Sequence, residues 1–300
     1  MIELRNVIKK FAGRLAVDDL TFTVPRGEIF GLLGHNGAGK STAIGMMLGQ
    51  VWPTSGQVKV CGHDVQSDRR AALMQVGAIF EAPVFYDYLS GWRNLEILST
   101  YTAPTSKARI CEVIEWVGLT GREQFKVRTY SHGMRSRLAL AQALLPKPEL
   151  LILDEPSDGL DPEGIHEMCR TILRLQRELG LTILLSSHLL NEVEQLCTRI
   201  AVLQQGKKVF EGNVADVRAA RGKVALKTSD FAIATKLLRE RGLITATAEE
   251  KFITLADGRS TAQVTQTLVA AGITVEGIWQ HEQTVEDFYL NLIKPPTAKN

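Results

Sequence analysis

A glycine-rich segment, Gly34 to Ser41, has the residue types and the spacing of a loop that binds phosphate groups. Its glycines allow the backbone to curl, so that successive amide groups face one anion. Lys40 can reach the outer phosphates of a nucleoside triphosphate, and the hydroxyl of Ser41 can bind Mg²⁺. A glycine-rich turn with a chance lysine would lack the strand pattern before it and the helix pattern after it. The segment therefore predicts a nucleoside triphosphate site.

Two adjacent carboxylates, Asp154 and Glu155, follow the apolar run Leu150–Leu153. Burial of that run as a strand would place Asp154 beside the phosphate loop, where it can hold Mg²⁺ directly or through water. Glu155 can then orient and deprotonate an attacking water molecule. A strand that merely ends in two solvated acids is the alternative, which the phosphate loop upstream disfavours. Together the two motifs predict hydrolysis of the triphosphate.

Strand and helix patterns place both motifs in an α/β fold. Glu28–Leu33 is a compact apolar strand that runs into the glycine-rich loop, and Ser41–Leu48 follows as a helix. Strand patterns then alternate with helical ones, and about residues 84–146 have helical patterns. We therefore expect a mainly parallel sheet wrapped by helices, with an inserted helical subdomain. The other expected elements are strands Ile2–Val7, Leu20–Val24, Thr182–Leu185 and Ile200–Leu203, and helices Asn94–Tyr101, Lys107–Val117, Ser131–Leu145, Gly164–Leu179 and Leu189–Leu196.

A change in composition at Val214–Gly222, toward small and charged residues, predicts a boundary between two domains, residues 1–215 and 223–300. Beyond it the patterns follow the order β-α-β-β-α-β, which is that of a ferredoxin-like unit. A last short helix is expected at Val285–Ile293. The second domain is therefore predicted to be a small α+β domain, whose role stays open between self-association, regulation and packing.

Composition and charge argue against several classes of protein. The 300-residue chain has a formal net charge of +2 with scattered lysines and arginines, which argues against a nucleic-acid partner. Four widely spaced cysteines favour reduced thiols over disulfides or a metal site. The first residues predict no secretion signal, and no segment approaches the roughly 20 apolar residues that span a bilayer. We therefore expect the chain to reach a membrane only through a partner.

Four further features resemble the ATP-binding subunits of ABC transporters, and they occur in that family's order. Tyr130–Met134 stands where the family carries its signature sequence, and Ser157–Asp161 resembles its D-loop. His188 resembles the switch histidine, and Phe11 resembles the aromatic residue that stacks on adenine. The resemblance covers about residues 2–213. It implies a P-loop NTPase fold of the ABC type that binds ATP and Mg²⁺ and hydrolyses the nucleotide.

Each of these residues also has an ordinary structural interpretation. Ser131 is expected to cap a helix, and with Gly133 it can also close on a γ-phosphate held by a second subunit. His188 is either a core histidine or a γ-phosphate contact, and Phe11 is either a core residue or an adenine contact. Asp161 can cap the next helix and still contact the neighbouring subunit. The family resemblance favours the functional role in each case.

Two departures from the family pattern concern the site. Glu81 stands where the family usually has glutamine, and in the signature His132 and Met134 replace a glycine and the glutamine. A carboxylate at position 81 can still approach Mg²⁺ and the attacking water, although it adds negative charge near the phosphates. Glu81 resembles the variant found in bacitracin-resistance and lantibiotic-immunity exporters. Whether His132 modulates closure of the site is left open.

An aromatic stretch follows Glu81. Phe85, Tyr86, Tyr88 and Trp92 lie close together at the start of the helical subdomain. They form either the core of that subdomain or a groove that accepts a short helix of a membrane subunit, as the resemblance implies. The two interpretations are equally favoured by the residues themselves.

The function expected from these features is that of an ATPase subunit of an ABC exporter at the cytoplasmic face of the cell membrane. The resemblance implies transmembrane permease subunits and a second ATP-binding subunit, identical or different, as partners. An importer ATPase, a soluble ABC ATPase outside transport and a binding module without hydrolysis are the alternatives. Glu81 and the Tyr130–Met134 signature favour the exporter. The residues expected at the site are Glu155, His188 and Glu81 for catalysis; Phe11, Gly34, His35, Asn36, Gly37, Ala38, Gly39, Lys40, Ser41, Thr42, Ser131, Gly133 and Asp161 for nucleotide binding; and Ser41, Glu81 and Asp154 for Mg²⁺.

Overall fold

A computed structural model describes residues 1–81, 84–102, 105–219, 223–248, 250–281 and 284–293. Contacts divide the chain into two compact units, Met1–Val214 and Ala215–Asn300. The division falls where the composition of the sequence changes. None of the helices in the described ranges is long and apolar enough to cross a membrane.

The first unit contains strands and helices in alternation after an all-strand start. Its strands are β1 (Ile2–Phe11), β2 (Arg14–Val24), β3 (Ile29–Leu33), β4 (Ser55–Val60), β5 (His63–Asp64), β6 (Val76–Ile79), β7 (Leu150–Asp154), β8 (Thr182–Ser187), β9 (Arg199–Gln204) and β10 (Lys207–Asn213). Its helices are α1 (Lys40–Met47), α2 (Arg69–Leu73), α3 (Gly91–Thr102), α4 (Lys107–Trp116), α5 (His132–Leu144), α6 (Pro162–Leu179) and α7 (Leu190–Leu196), while α8 (Val214–Ala219) contains the boundary between the units.

The central sheet has the strand order β10-β9-β3-β8-β7-β6, and all its neighbouring pairs except β10 and β9 are parallel. Every residue of β3, β7 and β8 is buried. Strands covered on both faces need continuous apolar runs, which explains why these segments were recognisable in the sequence. Since the strands are parallel, the loops after β3, β6, β7 and β8 meet at one edge of the sheet.

A second, antiparallel sheet adds to the predicted architecture. Its order is β2-β1-β4-β5, and β1 and β2 extend well beyond the strands expected from their apolar patterns. Ala12 and Gly13 form the tight turn between them with positive φ angles of 42° and 87°. Phe22 of this sheet stacks on Phe30 of the central sheet, with 5.5 Å between ring centroids. The two sheets therefore share one apolar core.

The helical block α3–α5 lies between β6 and β7 in the chain and packs closely against β6. A Cβ at Gly77 would lie 2.1 Å from the carbonyl oxygen of Ala143, so only glycine permits this approach. Of the aromatic stretch, Phe85 is buried, whereas Tyr86 and Tyr88 are exposed and meet edge to face at 6.2 Å. The core interpretation thus applies to Phe85, and the two tyrosines stay available to a partner.

The second unit contains β11 (Lys223–Thr228), α9 (Phe231–Glu240), β12 (Ile244–Ala248), β13 (Phe252–Leu255), α10 (Thr261–Ala270), β14 (Val275–His281) and α11 (Val285–Ile293). Its strands pair antiparallel in the order β12-β13-β11-β14. A separate apolar core joins the sheet to α9 and α10. The element order is the β-α-β-β-α-β order expected from the sequence; kinship with ferredoxin-like domains stays a prediction.

Candidate nucleotide-binding site

The phosphate loop connects β3 to α1, as the sequence predicts. Gly39 has a φ of 106°, and a Cβ there would lie 2.7 Å from the carbonyl oxygen of Ala16. At Gly37, with a φ of 82°, a Cβ would meet nothing within 4 Å, so this face of the loop is open. Helix α1 begins at Lys40 after a glycine, which has no side chain to cap the first amide groups. The loop and the helix end therefore form a cradle that suits an anion.

A cleft of about 840 Å³ opens over this loop, a volume within the range of sites for nucleotide-sized ligands. Its lining includes the predicted residues Phe11, His35, Asn36, Gly37, Gly39, Lys40, Ser41, Thr42 and Glu155. Gly34 and Ala38 are buried and form the loop's contact with the core instead. The cleft is also lined by Arg14, Leu15, Ala16 and Gln205, which the sequence analysis missed. The first three belong to the part of β2 that its apolar pattern did not reveal, and Gln205 carries no motif.

Glu155 connects the phosphate loop to the end of β8. Its Oε1 lies 3.1 Å from Nζ of Lys40, a lysine whose side chain is only 4% exposed. The other carboxylate oxygen of Glu155 shares a short hydrogen bond with Nδ1 of His188. Lys40 also donates to the carbonyl oxygen of Gly34 at 2.7 Å. Glu155 is therefore in direct contact with both Lys40 and His188, and the three residues were predicted from separate motifs.

Burial would raise the pKa of Glu155, but hydrogen bonds from His188 and Lys40 outweigh it, so the pKa lies below its ordinary value of 4.5. The carboxylate is therefore ionised at neutral pH and able to accept a proton.

The backbone of Glu155 has a φ of 48°, and that of Glu81 has a φ of 60°. A left-handed backbone of this kind costs a non-glycine residue about 1–2 kcal/mol. Strained backbone at two acidic residues of one site is typical of a functional position.

A second cleft, of about 530 Å³, brings together the residues predicted to bind Mg²⁺, namely Ser41, Glu81 and Asp154. Asp154 is buried, and one of its oxygens accepts a hydrogen bond of 2.5 Å from the hydroxyl of Ser186. The same hydroxyl accepts the backbone N–H of Glu155 at 3.0 Å. Hydroxyl and carboxylate oxygens are the ligands that Mg²⁺ prefers, so the donor set fits this ion. Ser186 was missed because no motif distinguishes it from other strand residues.

Another set of ligand-type atoms lies close together in this cleft. One atom each of Glu155, Asp158 and His188 lies within 4.8 Å of the others. Contact between the glutamate and the histidine already accounts for much of this proximity. The structure thus brings His188 to the glutamate expected to activate water, and adds Asp158 to the residues predicted from the sequence.

Phe11 lies at the end of β1 with its side chain 46% exposed, so it is not a core residue. Its ring lines the cleft over the phosphate loop. Nζ of Lys9 lies 4.6 Å from the ring centroid, a cation–π contact. The ring therefore has accessible area in the same cleft as the loop.

Ser131, Gly133 and Asp161, the predicted residues of the signature and the D-loop, line neither cleft of their own chain, whereas His132 of the signature and Asp158 of the D-loop line the second cleft. Ser131 caps α5, accepting the N–H of Met134 at 3.2 Å, and Asp161 caps α6, accepting the N–H of Gly164 at 3.0 Å. The capping roles predicted for both are thus present. Gly133 lies in the first turn of α5, where a Cβ would come no closer than 4.0 Å to a neighbour. Ser131 and Asp161 are exposed, so a second molecule can reach them.

Comparison with known proteins agrees with this geometry. The sequence pattern of the ABC transporter family matches residues 17–158. The bacitracin transport ATP-binding protein BcrA of Enterococcus faecalis is 36% identical over 296 residues, which cover 98% of this chain and 96% of that protein. The chain belongs to the ABC transporter ATP-binding family.

Two further similarities place this ABC ATPase within its family. The uncharacterized ABC transporter ATP-binding protein YhcH of Bacillus subtilis (strain 168) is 49% identical over 216 residues, 72% of this chain and 71% of that protein. A solved structure of the ATP-binding subunit of an ABC transporter is 29% identical, with a TM-score of 0.65, over 73% of this chain and 92% of the other. The chain is thus an ABC-type ATPase that binds and hydrolyses ATP.

Proposed function

We propose that this ABC ATPase is the ATP-hydrolysing subunit of an exporter whose membrane-spanning part is formed by separate permease subunits. The contact of Glu155 with both Lys40 and His188 is the observation that carries the catalytic part of the proposal. Similarity to a bacitracin transport ATP-binding protein along almost the whole chain supports the transport part. Glu81, which resembles the variant of peptide-antibiotic exporters, supports export over import.

In the proposed hydrolysis, Glu155 takes the proton of the attacking water. A P–O bond forms between the water oxygen and the γ-phosphorus, and the bond to the bridging oxygen of the β-phosphate breaks. Lys40 carries a buried positive charge toward the phosphates, which favours the charge that develops on the leaving oxygen. His188 contacts one oxygen of Glu155 and would contact the γ-phosphate that the water attacks.

Mg²⁺ would be held by Ser41, Asp154 and Glu81, three oxygen-bearing side chains of one cleft. The ion supplies charge neutralisation at the β- and γ-phosphates. Ser186 orients Asp154 by its hydrogen bond, and an oriented ligand binds a metal more tightly than a mobile one. Phe11 would stack on the adenine at the other end of the nucleotide.

A second ATP-binding subunit would complete each site. Ser131, Gly133 and Asp161 line neither nucleotide cleft of their own chain, although Ser131 and Asp161 are exposed. Head-to-tail pairing places the start of α5 from one subunit against the γ-phosphate bound by the other. Binding of ATP then draws two subunits together, and hydrolysis releases them. This cycle is the motion that the permease would use.

The permease would hold the chain at the cytoplasmic face of the cell membrane. Tyr86 and Tyr88, exposed at the start of the helical block, suit a groove that receives a short permease helix. Phe85 beneath them is buried and fixes the stretch to the block.

Co-purification from detergent-solubilised membranes tests the transport part of the proposal. A tagged full-length chain is expected to retain a membrane protein with several spanning helices, and Tyr88→Ala is expected to weaken that retention several-fold. Trp52→Ala, which removes an exposed aromatic side chain outside the helical block, is the control. A chain that fractionates wholly without membranes and retains no such protein would contradict the exporter role.

A further inference from the structure

Glu192 is a buried acid outside the motifs discussed so far. It lies in the first turn of α7 with only 3% of its surface exposed. A carboxylate in such a place must be paired or hydrogen-bonded, because burial without partners disfavours its charge. The hydrogen-bond partners of Glu192 therefore indicate which parts of the chain its carboxylate connects.

Two serine hydroxyls donate to the two oxygens of Glu192. Ser157 donates to Oε1 in a short hydrogen bond, and Ser187 donates to Oε2 at 2.5 Å. Both serines are themselves buried. Hydrogen bonds to an ionised acceptor are shorter and stronger than those between neutral groups. Glu192 therefore ties together two segments of the chain that are 30 residues apart, from position 157 to position 187.

Each serine begins a functional segment. Ser157 is the first residue of the D-loop, Ser157–Asp161, and its carbonyl oxygen accepts the N–H of Leu160 within that loop. Ser187 immediately precedes His188, and its hydroxyl accepts the N–H of Leu189 at 3.0 Å. The hydroxyl of Ser187 thus spans the turn that carries the histidine. One carboxylate therefore joins the start of the D-loop to this turn.

The charged surroundings of Glu192 point to the same pair of loops. Burial raises the pKa of Glu192 despite the hydrogen bonds from Ser157 and Ser187, while the charge of His188 lowers it and that of Glu155 raises it. Burial, and then the charge of Glu192, raises the pKa of two buried thiols, those of Cys169 and Cys197. Glu192 therefore lies in the electrostatic field of the same Glu155 and His188 that meet at the nucleotide.

We propose that Glu192 is a positioning residue that couples the D-loop to His188, so that the place of the histidine at the nucleotide depends on the D-loop's contact with a second subunit. This inference rests on the proposed function, in which Asp161 of the D-loop meets the partner and His188 meets the reacting phosphate. Docking of the second subunit then orders the histidine before hydrolysis. In a chain without a partner, the hydrogen bonds of Glu192 to Ser157 and Ser187 are present, but no second subunit contacts the D-loop.

Full-length variants test this coupling by steady-state ATP hydrolysis. Ser157→Ala removes one donor to Glu192, and Ser157→Thr keeps it. Glu192→Gln replaces one of the two acceptor oxygens by an amide nitrogen, which cannot accept the serine hydrogen bond. Ser157→Ala and Glu192→Gln are expected to lower kcat about tenfold while KM for ATP changes less than about threefold, because binding groups are untouched. Ser157→Thr, which keeps the hydroxyl, is expected to have a kcat close to that of the wild type. Gln195→Ala, exposed on the same helix, is the control and leaves kcat unchanged.

Ring resonances of His188 test the coupling without any turnover. In histidine-labelled protein, with His188→Gln for assignment, Ser157→Ala is expected to shift the His188 ring signals and Ser157→Thr to leave them in place. The proposal is overturned if the His188 signals of Ser157→Ala are unshifted, or if the kcat of Ser157→Ala is within twofold of wild type. It is also overturned if Ser157→Thr loses as much kcat as Ser157→Ala. A wild-type chain that fails to hydrolyse ATP counts against the proposed function instead, and the resonances still decide the coupling.

Discussion

Nζ of Lys40 lies 3.1 Å from Oε1 of Glu155, which joins the phosphate loop directly to the carboxylate at the end of β7. The lysine is buried, so its charge is poorly screened by water. A bound phosphate would compete with Glu155 for this charge. In the proposed mechanism, entry of the nucleotide would therefore free the carboxylate of Glu155 to accept a proton from water.

Replacing Glu155 by glutamine is expected to retain ATP binding and to lower the rate of hydrolysis by about 10²- to 10⁴-fold, the usual contribution of a general base. The amide keeps the shape of the side chain but cannot accept the proton of the water. Phosphate release measures the rate, and a fluorescent ATP analogue measures the affinity. Turnover close to that of the wild type would remove Glu155 from the role of base.

Nucleotide-driven pairing is expected to need Ser131 beyond its role as a helix cap. Ser106 caps α4 with the same geometry, since each serine accepts an N–H at 3.2 Å. In a Glu155→Gln background, Ser131→Ala and Ser106→Ala should each cost about 1 kcal/mol of stability. Only Ser131→Ala is expected to abolish the dimer that size-exclusion chromatography detects in ATP and Mg²⁺. Equal loss of dimer in both variants would assign the effect to stability alone.

Glu192→Gln is expected to change how stability depends on pH. Burial raises the pKa of Glu192, so its contribution to stability is complete below the ordinary value of 4.5 and decreases as pH rises through the raised pKa. Glutamine does not titrate there. The stability of Glu192→Gln relative to wild type should therefore increase from pH 4.5 to pH 7.5, as denaturant unfolding at both values would measure. A constant difference would contradict the raised pKa.

Gly77→Ala is expected to destabilise the fold by about 1–3 kcal/mol, the usual cost of forcing a methyl group into a packed core. Its Cβ would lie 2.1 Å from the carbonyl oxygen of Ala143 in α5. Gly133→Ala is the control, because a Cβ there meets nothing closer than 4.0 Å and alanine favours a helix. Thermal unfolding compares the two. Equal melting temperatures would mean that α5 can move away from β6.

The parts of the site that could be predicted from the sequence are those in which a motif adjoins a buried strand. The phosphate loop after β3 and Glu155 after β7 were recognisable because continuous apolar runs fix where those strands end. Ser186 and Glu192 were not, because their partners come from other segments and such pairing leaves no local pattern. The antiparallel sheet was only partly visible, since the half-exposed residues of β4 lack a continuous apolar run.

The positive φ angles of Glu155 and Glu81 have a consequence for how this sequence can change. Glycine adopts such a backbone without strain, so glycine at either position is expected to relieve about 1 kcal/mol of strain. Engineering guided by backbone strain alone would therefore replace both acids, although glycine at position 155 would also leave the buried Lys40 without its carboxylate partner. The two acids thus combine a strained backbone with the roles proposed for them in hydrolysis and Mg²⁺ binding.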